Sequence, residues 1–289
     1  MTTIAGKTVL LTGASRGIGV CIARELARQQ ATVIGVSRSQ AGLERVSDQI
    51  NASGGKFIAV PGDISKVEEL SKLVTQIAAL VSSIDILINN AGIEIYKAFP
   101  DYSLSELQSV LSVNLLAAME LTRLVLPTML HQGSGHIVNI ASLAGKKGHP
   151  YDSAYSASKA GLLVWADALR QELVGTGVGI SSICPGYIAD CGLLADTGVP
   201  APSLAGTSQA QDVAAAVIEA IANNRGEVIV NGNFITTNIT KLLLVTEQLF
   251  PLLGDRINRQ LGVTSRNQQR IVTPTQKVEP TRRESSFTS

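Results

Sequence analysis

From residue 7 to residue 230, short β-branched runs alternate with helical patterns, and that beat leaves few folds open. Strands are predicted at 7–12, 32–36, 57–61, 84–89, 136–141, 179–184 and 227–230. The segments between them carry helical periodicity at 16–30, 40–52, 66–81, 105–131, 155–175 and 209–223. Strands separated by helices of this length need right-handed crossovers, and so specify a parallel sheet covered on both faces. The expected fold is α/β: one doubly wound Rossmann domain over residues 1–234.

Two further segments follow it. Residues 235–263 are rich in leucine (Leu242, Leu243, Leu244, Leu249, Leu252, Leu253, Leu261) and are expected to form one or two amphipathic helices, broken near Pro251. Residues 264–289 are polar, contain two prolines and are predicted to be disordered. Within the domain, the stretch from Tyr187 to Gln209 breaks the beat. Gly192, Gly198, Pro200, Pro202 and Gly206 make it read as a long mobile loop, placed to act as a substrate lid.

The formal charge of the chain is +1, with +3 in residues 264–289 and about −2 in the remainder. Neither sign is strong enough to argue for nucleic acid or a membrane surface as partner. Cys21, Cys184 and Cys191 are odd in number and unpatterned, which points to a reducing compartment, with no disulfide framework and no metal site. The N-terminus lacks a secretory pattern, and no apolar run reaches the roughly 18 residues of a membrane span. A cytoplasmic location is expected.

The first strand leads into Thr12-Gly13-Ala14-Ser15-Arg16-Gly17-Ile18-Gly19 and then a helix. Glycines let such a turn approach a pyrophosphate, and the helix N-terminus offers free N–H groups with a partial positive charge. At the end of the second strand, an acid that would hold the ribose hydroxyls of NAD is missing; Ser37 and Arg38 stand there instead. With Arg16 in the turn, two guanidinium groups suit a 2′-phosphate and favour NADPH.

Ser142 precedes Tyr155 and Lys159 by thirteen and seventeen residues. If Tyr155 begins a helix, Lys159 lies one turn on along the same face. An ammonium there is expected to lower the phenol's pKa toward neutrality, where a general acid or base works best.

The ordered set Thr12-Gly13-x-x-x-Gly17-x-Gly19, Asp63, Asn89-Asn90-Ala91-Gly92, Asn114, Ser142, Tyr155-x-x-x-Lys159 and Pro185-Gly186 resembles the short-chain dehydrogenase/reductase family over about residues 5–232. The resemblance implies a proton-donor role for Tyr155. It implies that Lys159 tunes Tyr155 and holds the nicotinamide ribose, that Ser142 binds the substrate oxygen, and that Asn114 positions a water beside Lys159. Asp63 is expected at the adenine edge, with Asn90, Ala91 and Gly92 against the adenosine half. Pro185, Gly186 and the backbone of Ile188 are expected near the nicotinamide. Where the family commonly carries a threonine for the carboxamide, this chain has Asp190.

Within the family, the stretches 115–123, 141–148 and 170–177 resemble ketoacyl reductases associated with heterocyst patterning in filamentous cyanobacteria. That implies a 3-oxoacyl or other lipophilic carbonyl as small-molecule substrate. The expected pocket lining is apolar with a few hydroxyls: Ile93, Ile95, Tyr96 and Leu143 from the first half. His149, Tyr151, Tyr187, Leu193, Leu194, Val199 and Leu204 complete it. The same resemblance raises a second function, a regulatory protein in which reductase activity is secondary and a Gly-Ser-Gly segment acts as a peptide signal. Here Gly133-Ser134-Gly135 is flanked by Gln132 and His136, and reads instead as a helix cap and turn. A homodimer or homotetramer built on the 105–131 and 155–175 helices is expected from the family. The leucine-rich segment is expected to cover the substrate entrance or a partner, with a peripheral membrane contact as the weaker alternative.

Overall fold

The computed structural model describes residues 2–202 and 205–272. Its strands are β1 (Thr8–Thr12), β2 (Thr32–Ser37), β3 (Lys56–Pro61), β4 (Ile86–Asn89), β5 (Gly135–Ile140), β6 (Val178–Pro185), β7 (Tyr187–Ile188), β8 (Thr207–Ser208) and β9 (Glu227–Val230). The helices are α1 (Ile18–Arg28), α2 (Gln40–Ala52), α3 (Leu70–Ala78), α4 (Leu104–Leu111), α5 (Ala117–Gln132), α6 (Ser153–Glu172), α7 (Leu193–Asp196), α8 (Ala210–Asn223), α9 (Phe234–Leu249), α10 (Pro251–Gln260) and α11 (Val263–Val272).

Seven strands form one parallel sheet in the order β3-β2-β1-β4-β5-β6-β9, and β7 pairs with β8 separately. The order reverses between β1 and β4, which opens a crevice at the strands' carboxyl ends where ligands of such sheets bind. The central strands are buried along their whole length, as strands covered on both faces must be. One core, around Ile22, Leu26, Leu43 and Val217, lies between the sheet and α1, α2 and α8. The other, around Leu73, Leu121, Val125 and Ala166, lies beneath α3, α5 and α6.

The long central helix is divided. Leu104–Leu111 and Ala117–Gln132 are α-helical, and Ser112–Leu116 forms a π-helical turn, a distortion often found at functional sites. The whole run Leu104–Gln132 is 29 residues and apolar enough to cross a membrane by length and composition, which corrects the expectation that no segment reaches that mark. It gains its apolar character from packing: Val110, Ala117, Leu121, Val125 and Met129 are buried in the domain.

Two other expectations change. The loop between Tyr187 and Gln209 contains β7, α7 and β8, so it is more ordered than its glycines and prolines suggested. The leucine-rich segment breaks at Pro251 as expected. Ile235, Ile239, Leu242, Val245 and Leu249 remain exposed along α9. Part of the tail predicted to be disordered is helical. Residues 264–272 belong to α11, which buries Val263, Asn267 and Arg270 on one face. Residues 273–289, and Leu204 of the expected pocket, lie outside the described residues.

Candidate active site

The turn after β1 is shaped by close backbone contact. A Cβ on Gly19 would lie 2.1 Å from the Gly13 carbonyl oxygen, and one on Gly13, at φ +69°, would lie 2.9 Å from Ala91 Cα. Thr12 ties this turn to the segment after β4: its hydroxyl accepts from the N–H groups of Asn90 (3.0 Å) and Ala91 (3.1 Å). The Asn90 amide donates to the Thr12 carbonyl at 2.9 Å. Gly17 begins α1 with no side-chain cap, so the helix N-terminus keeps free N–H groups for an anion. Ser15, Gly17, Ile18 and Gly19 thus line one cradle, and Ala91 closes its floor.

Ser37, at the end of β2, donates to the Ser15 hydroxyl at 2.7 Å, and Arg38 beside it is exposed. The loop and the second strand therefore meet where the adenosine ribose was expected. Asp63 follows β3 and accepts from the N–H and hydroxyl of Ser65 at 3.0 and 2.8 Å. Arg16 is engaged elsewhere: its guanidinium pairs with Asp196 of α7. Asp190 has a structural partner, accepting from the Ala210 N–H at 3.0 Å and so capping α8. Pro185 and Gly186 leave the sheet where Gly186 donates its N–H to the Val230 carbonyl at 2.9 Å, and Ile188 is buried in β7.

The second half of the site is built on α6. The helix starts at Ser153, so Tyr155 lies within its first turn and not at its start; Lys159 still follows one turn later. Lys159 Nζ donates to the Ile140 carbonyl at 2.7 Å and lies 5.6 Å from the centroid of the Tyr155 ring. Ser142 faces the Tyr155 hydroxyl and also accepts from the Ala144 N–H at 3.1 Å. Asn114, in the π turn, accepts from the Ile93 N–H at 2.8 Å and donates to the Ile93 carbonyl at 2.9 Å and the Ser158 hydroxyl at 3.0 Å. Ser158 in turn donates to the Tyr155 carbonyl at 2.7 Å. Gly92 fits between the Asn114 and Lys159 side chains, where a Cβ would lie 3.4 and 3.6 Å from them. The four expected catalytic residues therefore come from three separate elements: the π turn, the segment after β5, and α6.

Electrostatics corrects one expectation. The Tyr155 phenol is pushed well above its ordinary value by burial, and then by the charges of Glu94 and Asp152, against a smaller opposing effect of Ser142. Lys159 does not bring it toward neutrality; burial lowers the lysine itself to about 8. A phenol held protonated is the form that can give a proton to a carbonyl oxygen.

Those two acids also correct the apolar pocket. Asp152 is fully buried, and neither of its oxygens accepts a hydrogen bond from an N–H or hydroxyl among the described residues. It faces Glu94: burial raises both carboxyls, and the charge of Glu94 and a hydrogen bond with it raise Asp152 further. Arg270 of α11 completes the cluster. Its guanidinium lies 5.3 Å from the Tyr96 ring centroid and 5.6 Å from that of Tyr187. His149 stacks on Tyr187 at 6.2 Å, and burial lowers that histidine to about 4. Glu94, Asp152 and Arg270 escaped the sequence reading. The available signal was position: one acid two residues after Gly92 and another three before Tyr155.

With this geometry in place, a family model described as short chain dehydrogenase matches residues 7–197. The chain belongs to the short-chain dehydrogenase family. It is 60% identical over 270 residues to the ketoacyl reductase HetN of Nostoc sp. (strain PCC 7120), covering 93% of this chain and 94% of that protein. Among solved structures, it resembles a metagenomic short-chain oxidoreductase in complex with NADP, with a TM-score of 0.69 and 30% identity, covering 81% of this chain and 100% of that one. It also resembles a short-chain dehydrogenase/reductase from Burkholderia phymatum in complex with NAD, with a TM-score of 0.73 and 27% identity, covering 79% and 90%. As a member of this family, the chain is an oxidoreductase. The Gly133–Gly135 segment forms a cap and turn: Gly133 caps α5 at φ +61°, and Gly135 and His136 are buried at the start of β5.

Proposed function

We propose that this protein is an NADPH-dependent reductase of 3-oxoacyl or similar lipophilic ketones, with Tyr155 as proton donor. The observation that carries this reading is the convergence of Ser142, Tyr155 and Lys159 behind the glycine cradle, and the name of the Nostoc relative supports the substrate class. The nicotinamide group, when bound, supplies the hydride. The Tyr155 hydroxyl holds the proton for the carbonyl oxygen, and Ser142 donates a second hydrogen bond to that oxygen. Lys159 is anchored by the Ile140 carbonyl and fixes the face of α6 that meets the ribose. Asn114 acts as a positioning residue, because its amide is spent on Ile93 and Ser158.

Ser37 and the exposed Arg38 favour the 2′-phosphate of NADPH, with the cradle of Gly13, Gly17 and Gly19 taking the pyrophosphate. Asp63 and Asn90 take the adenosine side. Exposed apolar residues Leu111 and Leu116, together with Val164 of α6, support a homodimer or homotetramer through these helices. Three free cysteines fit a reducing, cytoplasmic setting.

The test is NADPH and NADH oxidation with a 3-oxoacyl thioester, by the wild type and by Tyr155→Phe. NADPH is expected to be preferred by about 30- to 1000-fold in kcat/KM. The substitution is expected to cost about 10² to 10⁴ in rate while NADPH still binds. A variant with more than about a tenth of the wild-type rate would remove Tyr155 from the role of acid.

A further inference from the structure

The residues that follow β7 lie along the first helix, and contacts at two points fix their register on it. At one end, a Cβ on Gly17, the residue before α1, would lie 3.4 Å from Gly192 Cα. At the other end, Gln211 Nε2 of α8 reaches Glu25 Oε2 of α1 at 3.5 Å, and Asp190 accepts from the Ala210 N–H that precedes it at 3.0 Å. Positions 17, 21 and 25 follow one another by about a turn and share a face of α1. Gly192 meets one end of that stripe, and Asp190 adjoins the other through α8. Cys21 and Cys191 are the residues left facing each other in the middle. Both are free, partly buried thiols, and both pack on the apolar core shared by α1, α8 and the sheet. The third cysteine, Cys184, is fully buried within β6.

The electrostatics agree with this register, because the charge of Asp190 acts on both thiols and that of Cys21 acts on Cys191. Burial first and Asp190 second raise both, Cys191 to about 11, so the pair is protonated and slow at neutral pH. It resists brief oxidation and answers a sustained one, faster as pH rises. The same seam borders the glycine cradle. Gly17 opens α1 without a side-chain cap, and Arg16 beside it is paired with Asp196 of α7.

We propose that Cys21 and Cys191 are a redox-sensitive pair, which a hydroperoxide joins in a disulfide that ties the segment carrying α7 to α1 and slows entry of NADPH to the cradle. One thiolate sulfur attacks an oxygen of the hydroperoxide; the O–O bond breaks, and the leaving oxygen takes up a proton. The other thiol then attacks the sulfenic sulfur; the S–O bond breaks, the S–S bond forms, and water leaves with the second thiol proton. Two thiols lose two electrons and the hydroperoxide gains them, and a dithiol reverses the bond by exchange. The gating half of the proposal rests on the reading of the glycine turn as the cofactor site.

The test exposes the full-length protein to hydrogen peroxide at about pH 8.5, the ordinary thiol value, and then removes the peroxide. Digestion with trypsin and chymotrypsin, which cuts after Tyr187, separates Cys191 from Cys184 for mass analysis. Peptides joined through Cys21 and Cys191 are expected from monomeric protein, and dithiothreitol is expected to part them. NADPH association, followed by its fluorescence with no ketone present, is expected to slow by about tenfold or more on oxidation and to recover with dithiothreitol. In Cys21→Ser and in Cys191→Ser, peroxide is expected to leave that association unchanged. A bond to Cys184, bonds only between two copies, or oxidised thiols left unjoined would overturn the pair. A Cys21–Cys191 bond with unchanged NADPH association would overturn the gate. A reduced wild type that binds no NADPH overturns the cofactor reading and the gate with it, while the masses of the joined peptides still decide the pair.

Discussion

Arg16 in the phosphate turn is paired with Asp196 on α7, so a side chain suited to a cofactor phosphate is held by the substrate-side loop. The Arg16 side chain is 63% exposed and that of Asp196 37%, which limits such a pair to about 1 kcal/mol or less. Asp196→Asn is therefore expected to lower KM for NADPH by about two- to fivefold and to leave KM for NADH unchanged. Steady-state kinetics with both cofactors check this; an equal change for both would mean that Arg16 does not meet the 2′-phosphate.

The alkaline limb of the reduction rate should belong to Lys159 and not to Tyr155. Burial lowers Lys159 to about 8, whereas the phenol is raised and stays protonated there. The pH profile of kcat/KM for reduction is expected to fall above pH about 8, as the ammonium beside the cofactor ribose loses its charge. A rate that stays flat up to the ordinary tyrosine range, about 10, would contradict this.

Asp152 should make the fold less stable as pH rises. Its carboxyl is raised in the folded chain, so between the ordinary carboxylate value near 4 and that raised value the native state holds more protons than the unfolded one. Stability then falls with increasing pH through that window. Asp152→Asn removes the buried ionisable group. Its melting temperature is expected to exceed that of the wild type at pH 8, by about 2–4 °C per kcal/mol, and to match it at the acid end of the window. Thermal melts at both ends check the sign.

Deleting residues 263–289 should matter, contrary to what the polar composition of the tail suggested. The cut removes hydrogen bonds from Asn267, Gln268 and Arg270 to Pro150, Tyr151 and Pro200, each worth about 1 kcal/mol. A fall in melting temperature of about 6–12 °C is expected. An unchanged melting temperature would show that α11 does not pack on the domain.

The sheet and the cofactor cradle were legible because their signals are local. Val9–Leu11 and Ile86–Ile88 read as buried strands from their own composition, and Gly13 and Gly19 mark a turn that admits no Cβ. α11 was not legible because its buried stripe is Val263, Asn267 and Arg270: the spacing is helical, but two of the three members are polar. Glu94 and Asp152 were missed for a related reason. Acids are normally solvated, and only tertiary structure brings residues 58 positions apart together beneath an arginine from the far end of the chain. The tyrosine's protonation state was misjudged because spacing along a helix gives the position of Lys159 and leaves out both the burial and the acids.

The placement of Arg270 also gives the chain an order of completion. A ribosome delivers β1 first and α11 last, and the parallel pairing of β1 with β4 already waits for residues near 86. All seven strands of the main sheet, with Ser142, Tyr155 and Lys159, precede the guanidinium that lies against Tyr96 and Tyr187. The contact of that guanidinium with two aromatic rings is thus made only once α11, the last of the described helices, has come back onto the domain.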